Sequence, residues 1–265
     1  MRIAIIGTGK MGTAIARGLI AERTVTPADL RGADVSAEAR EAFAGATGAE
    51  VCASPAEAVD GCDIVLLAVK PQVAEEAARQ IAADCAGKLV LSIAAGIRLS
   101  SLEQWFGTTR IVRVMPNTPM TIARGVAAYA CAEGVTEDDR RAVKTIFSAV
   151  GIAREVPEDQ MDTVTALSGS GPAYVFEFIQ AMIEAAAALG MDSEDALDLA
   201  VQTVAGAAEM VAAGCGGPVE LRDAVTSKGG TTAEGLRVLR EHDFRDLMKS
   251  VLKAAHDRSV ELGKG

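Results

Sequence analysis

The sequence predicts an α/β domain with a parallel sheet, followed by an all-helical domain. Three observations carry this. Over the first ~160 of the 265 residues, short β-branched runs alternate with helical stretches, the pattern of a parallel sheet covered by helices on both faces. After about residue 160 the strand patterns stop and apolar residues recur at helical spacing. Between the first strand and the first helix stands Gly7-Thr8-Gly9-Lys10-Met11-Gly12, where the glycine motif of a Rossmann-type dinucleotide-binding domain has to stand.

The elements follow in order. RIAIIG is a strand and 10–22 a helix; LRGADV is followed by a helix over 37–45, DIVLLAV by 72–83 and KLVLSIA by 99–106, with RIVRVMP next. GVAAYA, a helix near 136–149 and GIAREV extend the sheet. Pro157 and the acidic turn after it punctuate the chain, giving a Rossmann-type domain over 1–158 and a helical domain over 159–265. In the second, a helix from Pro172 to Leu189 carries Phe176, Ile179, Met182 and Ile183 on one face and stops at Gly190. Another runs from Glu194 to Ala213 with Leu197, Val201, Val204, Ala208 and Val211 in step, ending at Gly214. After a short segment around Leu221, a third helix starts near Thr232 and a fourth spans Phe244 to Leu262. Faces this apolar are expected to be covered by a second copy of the chain.

The loop that opens the third helix, AVTSKGGTTAEGL at 224–236, interrupts the helical pattern with paired glycines and four hydroxyl residues. Read locally, Gly229 and Gly230 end one helix, Thr231 caps the next and Glu234 completes a capping box. The same geometry leaves first-turn N–H groups available, and with the helix dipole they make an anion site suited to a small carboxylate.

Composition narrows the function. Apolar residues make up 49% and aromatics 3%, so Ala, Val, Ile and Leu build the interior. A formal charge of −10 without clustered Lys and Arg argues against a nucleic-acid surface, and no apolar run approaches a membrane span. Cys52, Cys62, Cys85, Cys131 and Cys215 are odd in number and never closely paired, which fits neither a disulfide framework nor a zinc site; they are expected to be small buried thiols. MRIAIIGTGK runs straight into a strand without a targeting leader, so a cytoplasmic protein is expected. His242 and His256 stand among charges in the last helical region, and no nucleophilic or metal constellation is visible. Chemistry carried by a cofactor, with the protein positioning and polarising, fits better than hydrolysis.

Three motifs end successive strands at the sheet edge where ligands of open α/β sheets bind: Ala68-Val69-Lys70-Pro71, Ser92-Ile93-Ala94-Ala95-Gly96 and Met115-Pro116-Asn117-Thr118-Pro119. Lys70 either orients a nicotinamide amide or substrate, or is simply solvated. The other two are turn-forming on their own, and their shared edge favours function. Lys10 reads as a solvated charge beside the cradle. Asp34, 22 residues past Gly12, stands near where an acidic side chain accepts hydrogen bonds from the adenosine ribose of NADH and repels the 2′-phosphate of NADPH. Ser36 and Arg40 offer that phosphate a hydroxyl and a charge, so both nicotinamides are expected to serve.

With TALSGSGPAYVFEFIQAM (165–182) and VTSKGGTT (225–232) added, the chain resembles the Δ1-pyrroline-5-carboxylate reductases nearly end to end. GTGKMG, VKP, SIAAG, VRVMPNTP, ALSGSGPAYVF, TSKGGTT and FRDLMKSVLKAAHDRSVEL occur in that family's order. Many members read TSPGGTT; Lys228 here replaces that proline and adds a cation. The family reduces the cyclic imine of 1-pyrroline-5-carboxylate to proline with NADPH or NADH, the last step of proline biosynthesis. It does so with a Rossmann domain and a helical dimerisation domain that assembles into homodimers or rings of dimers.

The resemblance implies that Ser227, Gly229, Gly230, Thr231 and Thr232 bind the substrate carboxylate, largely through backbone amides, from the partner subunit. Thr232 would offer its hydroxyl to the ring nitrogen, and Thr232 and Lys70 are the catalytic candidates. Met115, Pro116, Asn117 and Thr118 would line the cleft, with Ser168 to Gly171 starting the helix beside it. The cofactor would rest on Gly7, Thr8, Gly9, Lys10, Met11, Gly12, Asp34, Ser36, Ala68, Val69, Lys70, Pro71, Ala94 and Asn117. An unperturbed hydroxyl is a poor acid, so relay from water or entry of an already protonated imine stand beside Thr232 as proton sources. A β-hydroxyacid dehydrogenase of the same plan would instead want a catalytic lysine in the helical domain, for which Lys228 and Lys249 are the candidates.

Overall fold

A computed structural model describes residues 1–263. It divides into two compact units, Met1–Ser170 joined by the chain from Ala255 onward, and Gly171–Ala254.

The first unit is built on eight strands: β1 Ile3–Ile6, β2 Leu30–Ala33, β3 Glu50–Cys52, β4 Ile64–Leu67, β5 Leu89–Ser92, β6 Ile111–Met115, β7 Gly125–Cys131 and β8 Gly151–Glu155. Their order in the sheet is β3-β2-β1-β4-β5-β6-β7-β8. Every residue of β1, β4 and β5 is buried, as continuous apolar runs in the centre of a parallel sheet require. Alternation along each strand divides the core into two layers. Ile3, Ile5, Leu66 and Leu91 pack on one face, and Ala4, Ile6, Val65, Leu67 and Val90 on the other.

The helices of this unit are α1 Lys10–Ala21, α2 Ala37–Thr47, α3 Pro55–Val59, α4 Ala74–Ile81, α5 Leu99–Phe106, α6 Glu137–Ser148 and α7 Met161–Val164. Side-chain caps set several starts: Ser36 accepts the Ala39 amide, Ser54 the Glu57 amide, and Thr136 and Asp139 form a capping box on α6. β3 and α3 are additional to the elements the sequence predicts, since segments of three and five residues carry too little periodicity. One pairing departs from a parallel sheet. β7 runs antiparallel to β6 because residues 116–124 between them hold only a short 3-10 turn, Thr118–Ile122, and a parallel crossover takes a dozen residues or more.

The compact sheet unit also takes in the segment that follows Pro157. α7 passes into a π-helical turn, Thr165–Gly169, and Met161 and Ala166 are buried. The end of the chain returns to the same unit: Ser259 donates to Asp162 at 2.6 Å, and Leu262 passes Gly96, whose φ is +78°.

The second unit consists of α8 Gly171–Ala188, α9 Ser193–Ala212, α10 Pro218–Ala224, α11 Thr231–Glu241 and most of α12 Phe244–Leu262. No residue of α8 is buried, and only Ala196 and Ala200 of α9 are. Phe176, Phe178, Leu189 and Leu199 lie exposed. The helical unit thus has almost no core of its own. Among the described residues no helix is long and apolar enough to cross a membrane. Of the five cysteines, Cys52, Cys62 and Cys85 are buried, but Cys131 is half-buried and Cys215 exposed, which corrects the expectation of five buried thiols.

Candidate active site

The glycine motif occupies the turn from β1 into α1. Gly7 has φ +101°, and a Cβ there would stand 2.6 Å from the Ala68 carbonyl, so only glycine fits. A Cβ on Gly12 would collide with the Gly7 carbonyl; this glycine lets the helix approach the strand. Gly9 differs from both. It is the N-cap of α1 without a side-chain cap, and nothing lies within 4 Å of where its Cβ would be. The first turn of α1 holds no acid, leaving free amides and an unopposed dipole at the end that attracts anions. The Thr8 hydroxyl is buried and has no partner. An orphaned donor beside an open helix N-terminus fits a diphosphate. A groove of about 800 Å³ begins here, lined at this end by Thr8, Gly9, Lys10 and Ser36.

At the turn after β2, the Asp34 carboxylate accepts the Thr8 amide at 2.8 Å and the Ser36 amide at 2.9 Å. Arg40 donates to the Asp34 carbonyl at 2.5 Å.

A second cavity, of about 230 Å³, lies at the carboxyl ends of β4, β5 and β6 and is lined by Met11, Ala68, Val69, Lys70, Ile93, Ala95, Met115 and Pro116. It gathers residues from all three strand-end motifs. Lys70 is exposed, and its carbonyl accepts the Val73 amide at 3.1 Å to start the 3-10 turn at Pro71.

In the helical unit, the Ser227 carbonyl accepts the Gly230 amide at 3.1 Å, and Gly229 has φ +72°. Gly230 is the N-cap of α11 and supplies no side chain. Thr232, in the first turn, is half-buried. Chemistry by a cysteine finds little support: burial raises Cys52, Cys62 and Cys131, and pushes Cys85 up to about 12. His256 lies 3.3 Å from Asp257 and His242 is exposed. No group of His, Cys, Asp and Glu among the described residues could hold a metal ion.

Comparison with known proteins decides between the readings this geometry allows. Residues 158–262 match the family model described as pyrroline-5-carboxylate reductase dimerisation. The chain is 42% identical over 265 residues to the pyrroline-5-carboxylate reductase of Methanosarcina acetivorans, covering 99% of this chain and 98% of that protein. The chain belongs to the pyrroline-5-carboxylate reductase family. Residues 2–96 also match the model described as NADP oxidoreductase, coenzyme F420-dependent. Among solved pyrroline-5-carboxylate reductases, that of Coxiella burnetii is similar at TM-score 0.95 and 36% identity, covering 100% of this chain and 99% of that one. The pyrroline carboxylate reductase of Plasmodium falciparum, with NADP bound, is similar at TM-score 0.89 and 33% identity, covering 99% and 98%.

In this reductase family's helical domain, one local assignment changes. Thr231 does not cap α11: it is the first helical residue, Gly230 takes the cap position, and Glu234 pairs with Arg237 at 2.9 Å instead of closing a capping box. The first-turn amides are therefore left even more open than a capped helix would leave them. Ala94 is 2% exposed and packs into the core, while Ala95 lines the cavity; the strand-end pleat turns one residue later. The Asn117 side chain is engaged internally. Its Oδ1 accepts the Val126 amide at 2.8 Å and its Nδ2 donates to the Ser168 carbonyl at 3.1 Å, so the side chain is held within the protein. Sequence reasoning missed the long wall of the groove formed by Ala39, Ala42 and Ala46 of α2; alanines at helical spacing were the only signal.

Proposed function

We propose that this chain reduces the C=N bond of 1-pyrroline-5-carboxylate to proline with NADPH or NADH. The observation that carries the reading is the conjunction, at one sheet edge, of an open glycine cradle with a cavity bounded by Ala68, Lys70, Ala95 and Met115, in a chain similar to these reductases over its whole length. The backbone of Gly9 and the first turn of α1 would hold the dinucleotide's diphosphate, helped by the Thr8 hydroxyl. Met11, Ala68, Val69 and Ala95 would border the nicotinamide, and Lys70 would orient its amide. When bound, the reduced nicotinamide supplies a hydride.

The protein's part is alignment and charge. The uncapped amides of Thr231 and Thr232, next to Gly229, Gly230 and Ser227, receive the substrate carboxylate at the positive end of α11. The Thr232 hydroxyl serves the ring nitrogen and passes on a proton drawn from water. Holding the imine carbon against the donor carbon of the nicotinamide accounts for most of the acceleration. The loop is contributed by the partner subunit of a homodimer, and dimers assemble further into rings; the resemblance and the dimerisation family support this, together with the bare faces of α8 and α9.

The reduced nicotinamide, followed at constant protein as it is consumed with pyrroline-5-carboxylate and NADPH or NADH in one arm, and as it forms from 3-hydroxy acids and the oxidised cofactors in the other, tests the reading. Turnover confined to the imine is the expected result. Turnover of a hydroxy acid, or of neither, overturns it.

A further inference from the structure

Asp34 stands where a ribose-reading acid is expected, yet both of its carboxylate oxygens already accept backbone N–H groups. Oδ2 takes the amide of Thr8, in the middle of the glycine motif, and Oδ1 the amide of Ser36, the N-cap of α2. The same two segments are pinned once more where the Gly7 amide donates to the Ala33 carbonyl at 2.8 Å. We infer that Asp34 is a positioning residue, a strap that fastens the glycine loop to the β2–α2 turn, and that it does not select between NADH and NADPH.

The inference rests on the nicotinamide reading above and deepens it. A carboxylate that accepts two backbone amides has part of its charge offset by their dipoles, so it repels a neighbouring phosphate less than a free one would. The turn around it carries both signs, with Glu38 in the first turn of α2, where it lines the groove, and Arg40 after it. Arg40 reaches back to the Asp34 carbonyl and, among the described residues, has no carboxylate partner. The Ser36 Oγ accepts the Ala39 amide at 3.2 Å, which leaves its O–H to donate. Because the Thr8 amide is taken by Asp34, the amides that remain for a diphosphate are those of Gly9 and of the first turn of α1. The strap fixes where that turn sits relative to β2.

Binding of NADH and NADPH to the full-length oligomer, measured separately by calorimetry, tests this. The wild type is expected to bind NADPH at least as tightly as NADH; a hundredfold preference for NADH would overturn the inference without any variant. Asp34→Asn opposes an NH2 group to one of the two amides, removing a charge-assisted hydrogen bond, and should raise both dissociation constants by roughly tenfold. The ratio of the two should stay within about threefold of wild type, and kcat at saturating cofactor should hardly change. A tenfold or larger swing of the ratio toward NADPH would mean that Asp34 reads the ribose, and the strap would be wrong. Wild-type protein that binds both nicotinamides with these affinities but oxidises neither with the imine would sink the proposed reaction and leave the strap standing.

Discussion

Asn117 ties the π-helical turn to the sheet: its Nδ2 donates to the Ser168 carbonyl, 51 residues away, at 3.1 Å. Its Oδ1 accepts the Val126 amide at 2.8 Å, and the residue is 8% exposed. Asn117→Ala strands a carbonyl and an amide at once. Each unsatisfied buried group costs about 1–3 kcal/mol, so a clear fall in the urea midpoint is expected at fixed protein concentration. Asn117→Asp keeps an acceptor for Val126 but faces Ser168 with a charge, and should be no more stable than the alanine variant. If Asn117→Ala kept wild-type stability and lost cofactor binding, the side chain would be a ligand group after all.

The carboxylate loop can be tested by separating two effects of one substitution. A Cβ on Gly230 would collide with the Ser227 Oγ, so Gly230→Ala disturbs the loop internally as well as crowding the helix N-terminus. Its expected result is a KM for pyrroline-5-carboxylate raised at least roughly tenfold, with unchanged affinity for NADPH. Adding Ser227→Ala relieves the collision but not the crowding, and should restore little of the loss. Full recovery in the double variant would show that the loop tolerates a side chain where the carboxylate is placed.

Acid should weaken the sheet unit through Asp139. Arg110 holds its carboxylate in a bidentate pair at 2.7 and 2.9 Å, and Thr136 adds hydrogen bonds. Chiefly through the Arg110 hydrogen bonds, its pKa is lowered from 3.8 to about 2. A depressed folded value means that the contribution is complete above the unfolded pKa and is lost as pH falls from about 4 to about 2. The stability involved is roughly 2 kcal/mol. Urea unfolding of wild type and Asp139→Asn between about pH 5 and about pH 2.5 should show the gap between them narrowing as pH falls; a constant gap would refute the assignment.

These tests bear mostly on features that periodicity does not report. The alternation of β-branched and helical segments places the sheet and its helices, and α12 spans Phe244–Leu262 as the sequence indicates. Strand ends and helix starts also bring Gly7–Gly12, Lys70 and Met115 to one edge. What a local pattern cannot carry is the partner of a side chain distant in sequence. Asp34 meets Thr8 across 26 residues and Asn117 meets Ser168 across 51, so both looked available to a ligand. Single-residue shifts were hidden for a related reason: whether Ala94 or Ala95 faces the cavity, or Thr231 or Gly230 caps α11, depends on where the backbone leaves regular geometry.

Assembly gives the last prediction. Phe176 is 63% exposed on α8, a helix without one buried residue, while the matching family model is that of a dimerisation domain. Burying a phenylalanine is worth about 1.5–3 kcal/mol, and in a two-fold dimer each substitution acts twice. Phe176→Asp places two carboxylates in the interface instead. Its expected effect is a shift from oligomer to monomer at micromolar protein in sedimentation velocity, with loss of pyrroline-5-carboxylate reduction if the partner supplies the carboxylate loop, as proposed. Cofactor affinity should be largely kept, since the glycine cradle belongs wholly to the sheet unit. A monomeric Phe176→Asp protein with wild-type turnover would show that one chain completes the site alone.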